Sequence, residues 1–312
     1  MIIKDKFPIS QITWISSYKG SGFVEKFYEP ESVRELLELC QGFYANGLKF
    51  DIIGHTSNTL YTKDYICERM VSTRKLKNFE ICDNSIICEC GTSVRQLSLA
   101  AIEKGIKGFE GTIDLPGTVA SALYGHATCY GSDISSLLLE AQVLTSDGMV
   151  QTVGPSWFDF KRRSSVLKRG EKEAVILTVM LSLEKGDPIS IKAQAEQNHT
   201  QRRLSQPEAK NSLGSLFVNS NEPSCFFYML SAITKIYGIF LRLFHRERMD
   251  IESKRRHLFF LMLGASDIEP YVCNWGWYQW RDEKSHDLFW KFVRIRKLLF
   301  KRSIFEIEIK HN

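Results

Sequence analysis

The chain of 312 residues has no Cys-x-x-Cys pair and no Cys/His spacing suited to zinc, although eight cysteines are scattered along it. A zinc or disulfide framework is therefore not expected. Cys88 and Cys90 are the one close pair and are expected on opposite faces of a strand. The eight together are read as buried, reduced thiols of a cytoplasmic protein. No long low-complexity or strongly acidic tract occurs, which excludes extensive disorder. The opening MIIKDKFPIS has too short an apolar run for a signal peptide. Neither sign of charge dominates, with 41 Lys and Arg against 36 Asp and Glu. The net charge of +5 suits a small anionic substrate and gives no argument for nucleic acid. Basic residues thicken over Arg242–Arg256 and Arg294–Arg302, which read as solvated helix faces, with contact to phosphates or a membrane surface as the alternative. Among apolar runs, Cys225–Phe244 approaches the length that crosses a bilayer, but Lys235 and Arg242 interrupt it. A buried amphipathic helix is expected there. Membrane-surface contact is the lesser alternative, and spanning the least favoured.

What remains is ordinary globular composition, 44% hydrophobic and 25% charged, enough for one large domain or two smaller ones. Residues 23–54 read as strand, helix, strand. Ser32 and Glu35 form a capping box, Val33, Leu36, Leu37, Cys40 and Phe43 follow helical spacing, and Asn46-Gly47 stops the helix. The unit repeats loosely, with a strand at Ser85–Cys90 and a helix from Ser93 to Lys104 stopped by Gly105. A glycine-rich stretch (105–131), a strand pair around Ser146-Asp147-Gly148 and an apolar run at Ala174–Leu183 follow. Gly186-Asp187-Pro188 is expected as a domain boundary. Beyond it, helices are expected at Ile189–Leu204, within 224–263 and at Ser285–Lys301. The end alternates Phe305, Ile307 and Ile309 with Glu306, Glu308 and Lys310, as in a half-buried strand. The fold class expected is α+β.

Two loops carry the functional reading. In the first, a strand runs into Gly54-His55-Thr56-Ser57-Asn58, where small residues let backbone N–H groups approach a diphosphate. In the second, Pro116-Gly117-Thr118-Val119 makes a tight turn before Ala120, Ser121 and Ala122, on which a flat ring or phosphate could lie. From the residues alone, a surface turn explains the first as well, and a closely packed helix start explains the second.

Taken in order, these segments resemble the UDP-N-acetylenolpyruvoylglucosamine reductase (MurB) family. Gly54 to Asn58 is similar to that family's Gly-Gly-Gly-Ser-Asn motif, with His55 and Thr56 in place of two glycines. Leu115 to Ala122 and His126 to Gly131 resemble its Ile-Pro-Gly-Thr-Val-Gly-Gly-Ala and Asn-Ala-Gly-Ala-Tyr-Gly. The resemblance runs from about Thr13 to Leu183. It implies a p-cresol methylhydroxylase (PCMH)-type FAD-binding domain of two α+β subdomains at 1–187, and a smaller α+β substrate domain at 188–312. It further implies FAD held by Gly54, His55, Thr56, Ser57, Asn58, Pro116, Gly117, Thr118, Ala120, Ser121, Ala122, Ala127 and Tyr130, with NADPH as electron donor. Some relatives of that fold tether flavin through a histidine. His55 sits one position too early for that pattern, so noncovalent FAD is expected.

Reduction of an enolpyruvyl ether requires, besides flavin, a charged or acidic group near the substrate carboxylate and a proton donor for the neighbouring carbon. Phe160–Lys168 resembles the family's Phe-Gly-Tyr-Arg-x-Ser-x-x-Lys, which puts Arg163 on the enolate-stabilising arginine and Ser165 on the serine after it. Arg202–Pro207 and Leu213–Asn219 resemble Arg-Arg-x-x-Gln-Pro and Ala-Gly-Ser-x-Phe-Lys-Asn-Pro, which puts Ser215 on the proton donor. Phe305–Lys310 resembles Leu-Glu-Pro-Glu-Val-Arg, with Glu308 on the catalytic glutamate and Glu306 as the alternative. Without the family, the basic run is a solvated loop, Ser215 a turn residue and Glu308 an exposed strand residue. The departures are Arg162 for a tyrosine, and Val218 and Ser220 for the lysine and proline of Phe-Lys-Asn-Pro. The aromatic, basic stretch 224–270 replaces family segments, although Tyr271–Gly276 resembles Phe-Ile-Val-Asn-x-Gly. The expected activity is FAD-dependent reduction of an enolpyruvyl (nucleotide-)sugar to its lactyl ether. A flavoprotein of the same fold with another substrate, or a flavin binder without turnover, are the other readings. A small anionic sugar is the expected partner; nucleic acid is not.

Overall fold

The computed structural model describes residues 1–15, 21–206, 211–218, 222–244 and 248–311. Two compact units emerge: Met1–Trp14 with Gly20–Gln206 and Ile309–Asn312, and Ile15–Lys19 with Pro207–Glu308.

The first unit begins with β1 (Ile2–Pro8), β2 (Phe23–Glu29), α1 (Val33–Ala45), β3 (Asp51–Ile53), β4 (Thr59–Tyr61) and β5 (Ile66–Ser72). One sheet has the order β1-β2-β5-β3; β1 is antiparallel to β2, while β2, β5 and β3 run parallel. Parallel strands of one sheet need a crossover, and α1 supplies it between β2 and β3, which flank β5. Ser32 caps α1 by accepting the Glu35 N–H at 3.2 Å. The capping box is only half made, because the Glu35 carboxylate accepts from Glu31 N at 2.9 Å instead. Asn46 caps the helix end and Gly47 takes φ +62°, as the stop signal required.

Next come β6 (Phe79–Ile81), β7 (Ser85–Glu89), α2 (Val94–Glu103), α3 (Val119–Gly125), β8 (Thr128–Cys129), β9 (Ser132–Asp133), β10 (Leu138–Thr145), β11 (Val150–Val153), β12 (Ala174–Ser182) and α4 (Pro188–Ser205). A second, antiparallel sheet is ordered β11-β10-β12-β7-β6. Its inner face, with Ile86, Cys88, Val143, Val179 and Leu181, packs in one core with Leu36 and Cys40 of α1 and Val94, Leu97 and Ala101 of α2. Each such large aliphatic side chain contributes roughly 1.5–3 kcal/mol of burial. Cys88 and Cys90 are both buried, contrary to the opposite-face expectation. Residues two apart on a strand share a face, and both thiols fill the core. All eight cysteines are free; Cys40, Cys88 and Cys90 are buried and Cys225 is exposed. Gly186-Asp187-Pro188 forms the start of α4, capped by the Asp187 carboxylate, and the compact unit continues to Gln206.

The second unit holds α5 (Cys225–Phe244), α6 (Arg248–Met262), β13 (Val272–Asn274), β14 (Trp277–Tyr278) and α7 (Glu283–Leu299). Asp282 and Ser285 make a reciprocal capping box at the start of α7. An aromatic core of Trp275, Tyr278, Trp280, Phe289 and Phe292 surrounds it. Arg296 is 1% exposed, lies 3.9 Å over the Phe217 ring and donates to the Trp275 carbonyl. Burial pushes its guanidinium down to about 10, so it stays charged at neutral pH. The α5 expectation needs correction. Leu230, Thr234 and Leu241 are buried, but Ile236, Ile239 and Tyr228 are 60–68% exposed. Among the described residues, Cys225–Arg242 is the one stretch long and apolar enough to cross a membrane, and only 22% of it is buried.

The expected strand at 305–310 is regular only as β15 (Glu308–Lys310). Ile309 and Lys310 return to the first unit, where Lys310 O accepts from Thr62 N at 3.0 Å and Lys310 Nζ meets Asp51 at 3.0 Å.

Candidate functional site

In the first unit, β3 ends at Ile53 and the chain turns through Gly54–Asn58 at the carboxyl end of a parallel sheet, where open α/β sheets commonly bind ligands. Gly54 lies against Thr118: a Cβ at Gly54 would fall 2.8 Å from Thr118 Oγ1 and 3.1 Å from its Cγ2. Gly117, at φ +122°, would place a Cβ 3.0 Å from Ser121 Oγ and 3.3 Å from Ser57 Oγ. The two loops read separately in the sequence thus form one cradle. Thr118, 1% exposed, caps α3 through the Ser121 N–H at 3.2 Å, and Thr118 N–H donates to Ser121 Oγ at 2.9 Å. Ala120 and Ala122 follow on α3. His126 at φ +45° ends the helix, with the Ala127 N–H donating to Ala122 O at 2.9 Å.

The residue that holds the first loop had no signature in the sequence. Arg74, just past β5, donates through Nε to Gly54 O at 3.0 Å, through Nη2 to Thr56 Oγ1 at 3.3 Å and to Ile12 O. Thr56 Oγ1 itself donates to Ile12 O at 3.0 Å. Thr56 adopts φ +57°, a conformation costing an L-residue roughly 1–2 kcal/mol. Two opposed effects then separate by substitution. Thr56→Ala loses the hydroxyl bonds and keeps the strain; Thr56→Gly loses the bonds and relieves it. In urea unfolding of flavin-stripped protein, Thr56→Gly should be the more stable variant by about 1 kcal/mol. Equal stabilities would show that the loop is unstrained.

His55 lies beside this arginine. Burial, and secondarily the Arg74 charge, hold its imidazole below the ordinary histidine value. The unfolded imidazole titrates at about 6.5, so below that pH the unfolded chain binds more protons than the folded one. Stability should fall as pH drops from about 6.5 toward the folded value. His55→Gln should flatten that limb of a melting-temperature profile; an unchanged limb would assign it to other groups.

Arg163 is half-buried at φ +57°, another non-glycine in left-handed backbone. Strain of this kind clusters at functional sites. Its loop is tied to the end of α3: Ser165 Oγ donates to Tyr124 O at 2.7 Å, and His126 Nδ1 lies 2.6 Å from Lys161 O. Burial raises the Cys129 thiol pKa, while the charges of Arg202 and Arg163 oppose that rise. Arg202 Nη1 reaches Cys129 Sγ at 3.9 Å, and Gln206 Nε2 reaches the Tyr130 hydroxyl at 3.4 Å. One turn earlier on the same face of α4, His199 Nδ1 lies 2.6 Å from Asp114, just before Pro116. No spacing signal in the sequence links this pair, whose members stand 85 positions apart.

Ser215 and the two glutamates lie in the second unit. Gly214 at φ +78° turns the chain, and Ser215 Oγ donates to Phe217 O at 3.3 Å. The Glu306 N–H donates to Leu216 O at 2.8 Å, and Phe217 stacks on Phe305 at 5.0 Å. The segment carrying Ser215 therefore runs beside the one carrying Glu306 and Glu308, both half-buried. Leu216 N also donates to Gly276 O at 2.9 Å. Val218, where the family carries lysine, donates its N–H to Ile304 O. Pro207, Asn219 and Ser220 lie outside the described residues.

Residues 24–154 match the family model for an FAD binding domain. A UDP-N-acetylenolpyruvoylglucosamine reductase from Caldicellulosiruptor saccharolyticus is 30% identical over 215 residues, covering 69% of this chain and 68% of its own. The enzyme of the same name from Enterococcus faecalis is 27% identical over 210 residues, 67% of this chain and 68% of its own. In Bacillus subtilis the figures are 30% over 205 residues, 65% and 67%. The solved UDP-N-acetylenolpyruvylglucosamine reductase of Thermus caldophilus superposes with a TM-score of 0.72, covering 99% of this chain and all of that one, at 17% identity. At that identity the likeness carries the fold.

Proposed function

The chain belongs to the UDP-N-acetylenolpyruvoylglucosamine reductase family, and we infer that it reduces the enolpyruvyl ether of such a nucleotide sugar to the lactyl ether, using noncovalent FAD and NADPH. The observation carrying this is the cradle in which Gly54 meets Thr118 and Gly117 meets Ser57 and Ser121. Small residues there bring the two loops together at one place, where backbone N–H groups can meet a diphosphate and small side chains can underlie a flat ring. Gly54–Asn58, Pro116–Thr118, Ala120–Ala122, Ala127 and Tyr130 are assigned to hold the cofactor. Bound there and reduced by NADPH, the flavin would supply the hydride for the terminal alkene carbon.

This chain's own side chains supply charge and a proton. Arg163 is assigned to the substrate carboxylate, where its guanidinium stabilises the negative charge that develops. Its left-handed backbone fixes the direction in which that side chain leaves the loop. Ser215 Oγ is assigned to protonate the neighbouring carbon, and Glu308, with Glu306 as alternative, to serve as the catalytic glutamate. Residues 1–187 carry the cofactor and 188–312 the substrate in this reading, and the reaction is cytoplasmic. Val218 in place of lysine makes the nucleotide end the part of the substrate to vary in a test.

The test is a two-step flavin assay under anaerobic conditions. NADPH should bleach the bound flavin, and UDP-N-acetylenolpyruvoylglucosamine should restore its colour. Bleaching without recovery, across a panel of enolpyruvyl sugars with and without UDP, would assign the same fold to another substrate.

A further inference from the structure

Helix α5 is packed on one side only. Leu230, Thr234 and Leu241 are buried, and α6 and α7 both pack against α5. Arg255 fills the notch at Gly238, where a Cβ would come 2.4 Å from its Cδ, and Arg255 Nε donates to Thr234 O at 3.2 Å. Phe227 joins the same side, with its ring 5.7 Å from Phe259 and 5.3 Å from Phe300. The opposite side is apolar and largely exposed. Met229, Ile233, Ile236 and Phe240, at spacings of four, three and four, form one stripe and are 40–68% exposed. The adjoining stripe runs Tyr228, Ala232, Lys235, Ile239 and Arg242, all exposed. A soluble monomer seldom leaves so continuous an apolar face bare, and such a face marks a contact.

Charge decides the occupant. The helix contains Lys235 and Arg242 and no Asp or Glu, in a chain of net charge +5. An antiparallel α5 pair centred on the helix midpoint would set Lys235 of one copy beside that of the other, with no acidic residue on either helix to answer it. Like charges so placed oppose association. Spanning a bilayer would require stripping α6 from Thr234 and Gly238 and taking Lys235 into hydrocarbon. A helix lying flat at the surface of an anionic bilayer meets neither obstacle. The apolar stripe enters the acyl boundary while the two cations on its flank reach headgroup phosphates. We propose that the exposed face of α5 seats this protein on anionic phospholipid bilayers, in the plane of the headgroups. The contact is independent of which sugar is reduced.

The test is co-sedimentation of the full-length flavin-loaded protein with vesicles of phosphatidylcholine alone, and with vesicles of equal parts phosphatidylcholine and phosphatidylglycerol. The protein should pellet with the anionic vesicles, stay in solution with the neutral ones, and be released by salt. Lys235→Gln with Arg242→Gln should weaken binding by about tenfold or more. Ile236→Ser with Phe240→Ser should abolish it while flavin content and melting temperature hold, since both side chains face solvent. Wild-type protein left in solution with both kinds of vesicle would overturn the proposal. So would binding that both double variants retain, or a wild-type dimer that the Ile236→Ser and Phe240→Ser pair dissolves without any vesicle binding.

Discussion

Gly54→Val is expected to give folded protein that purifies without its flavin. The glycine is required by a close approach: its virtual Cβ already lies 2.8 Å from Thr118 Oγ1, inside any ordinary contact. Thr118 cannot withdraw. It is 1% exposed, it caps α3, and its N–H is held by Ser121. The valine must instead push the Gly54–Asn58 loop away from the second loop. Such overpacking costs about 1–3 kcal/mol, which falls on the Gly54–Asn58 loop because Thr118 is anchored to α3, whose Val119, Ala122 and Leu123 belong to the unit's core. Flavin occupancy should drop by about tenfold or more, since about 1.4 kcal/mol is a factor of ten. Gly125→Ala is the matched control. Nothing lies within 4 Å of its virtual Cβ, and flavin content should be unchanged. Full flavin in Gly54→Val would mean that the two loops do not jointly enclose the cofactor.

Ser215→Ala should separate the two halves of the reaction. If its hydroxyl delivers the proton, flavin reduction by NADPH proceeds at the wild-type rate, while reoxidation by the enolpyruvyl substrate slows by about 10²–10⁴-fold. The fold tolerates the change, because the hydroxyl makes one 3.3 Å bond to Phe217 O and the pairing with the 304–306 segment runs through backbone. Stopped-flow absorbance of the flavin reads each half separately. Equal slowing of both halves would remove Ser215 from the proton-donor role and leave it as a turn residue.

Much of the fold was readable in the sequence because its signals are local. Ser32, Asn46-Gly47 and Gly105 mark helix ends that the structure realises within a residue or two, and the hairpin at Ser146–Gly148 turns on Gly148 at φ +82°. The two loops proposed to hold the cofactor were legible because small residues cluster in them, and the structure brings Gly54 against Thr118 and Gly117 against Ser57. What failed to show depends on partners distant in sequence. Arg74 reaches Gly54 and Ile12, and His199 finds Asp114, with no spacing rule to announce either. Glu35 forsakes Ser32 because the Glu31 N–H and the N-terminal amine compete for its carboxylate. The final strand shortens because the Glu306 N–H is taken by Leu216 O before β15 begins. The α5 expectation failed for a different reason. Hydrophobic periodicity tells that one face wants cover but not whether this chain supplies it, and here much of the apolar face is exposed.

The most direct measurement is the visible absorbance of the purified protein, followed by analysis of what denaturation releases. An oxidised-flavin spectrum and equimolar free FAD are predicted, with none left attached to the chain. A colourless protein that takes up no FAD on reconstitution would contradict the cradle formed by Gly54–Asn58 and Pro116–Ala122, and with it the proposed reductase activity.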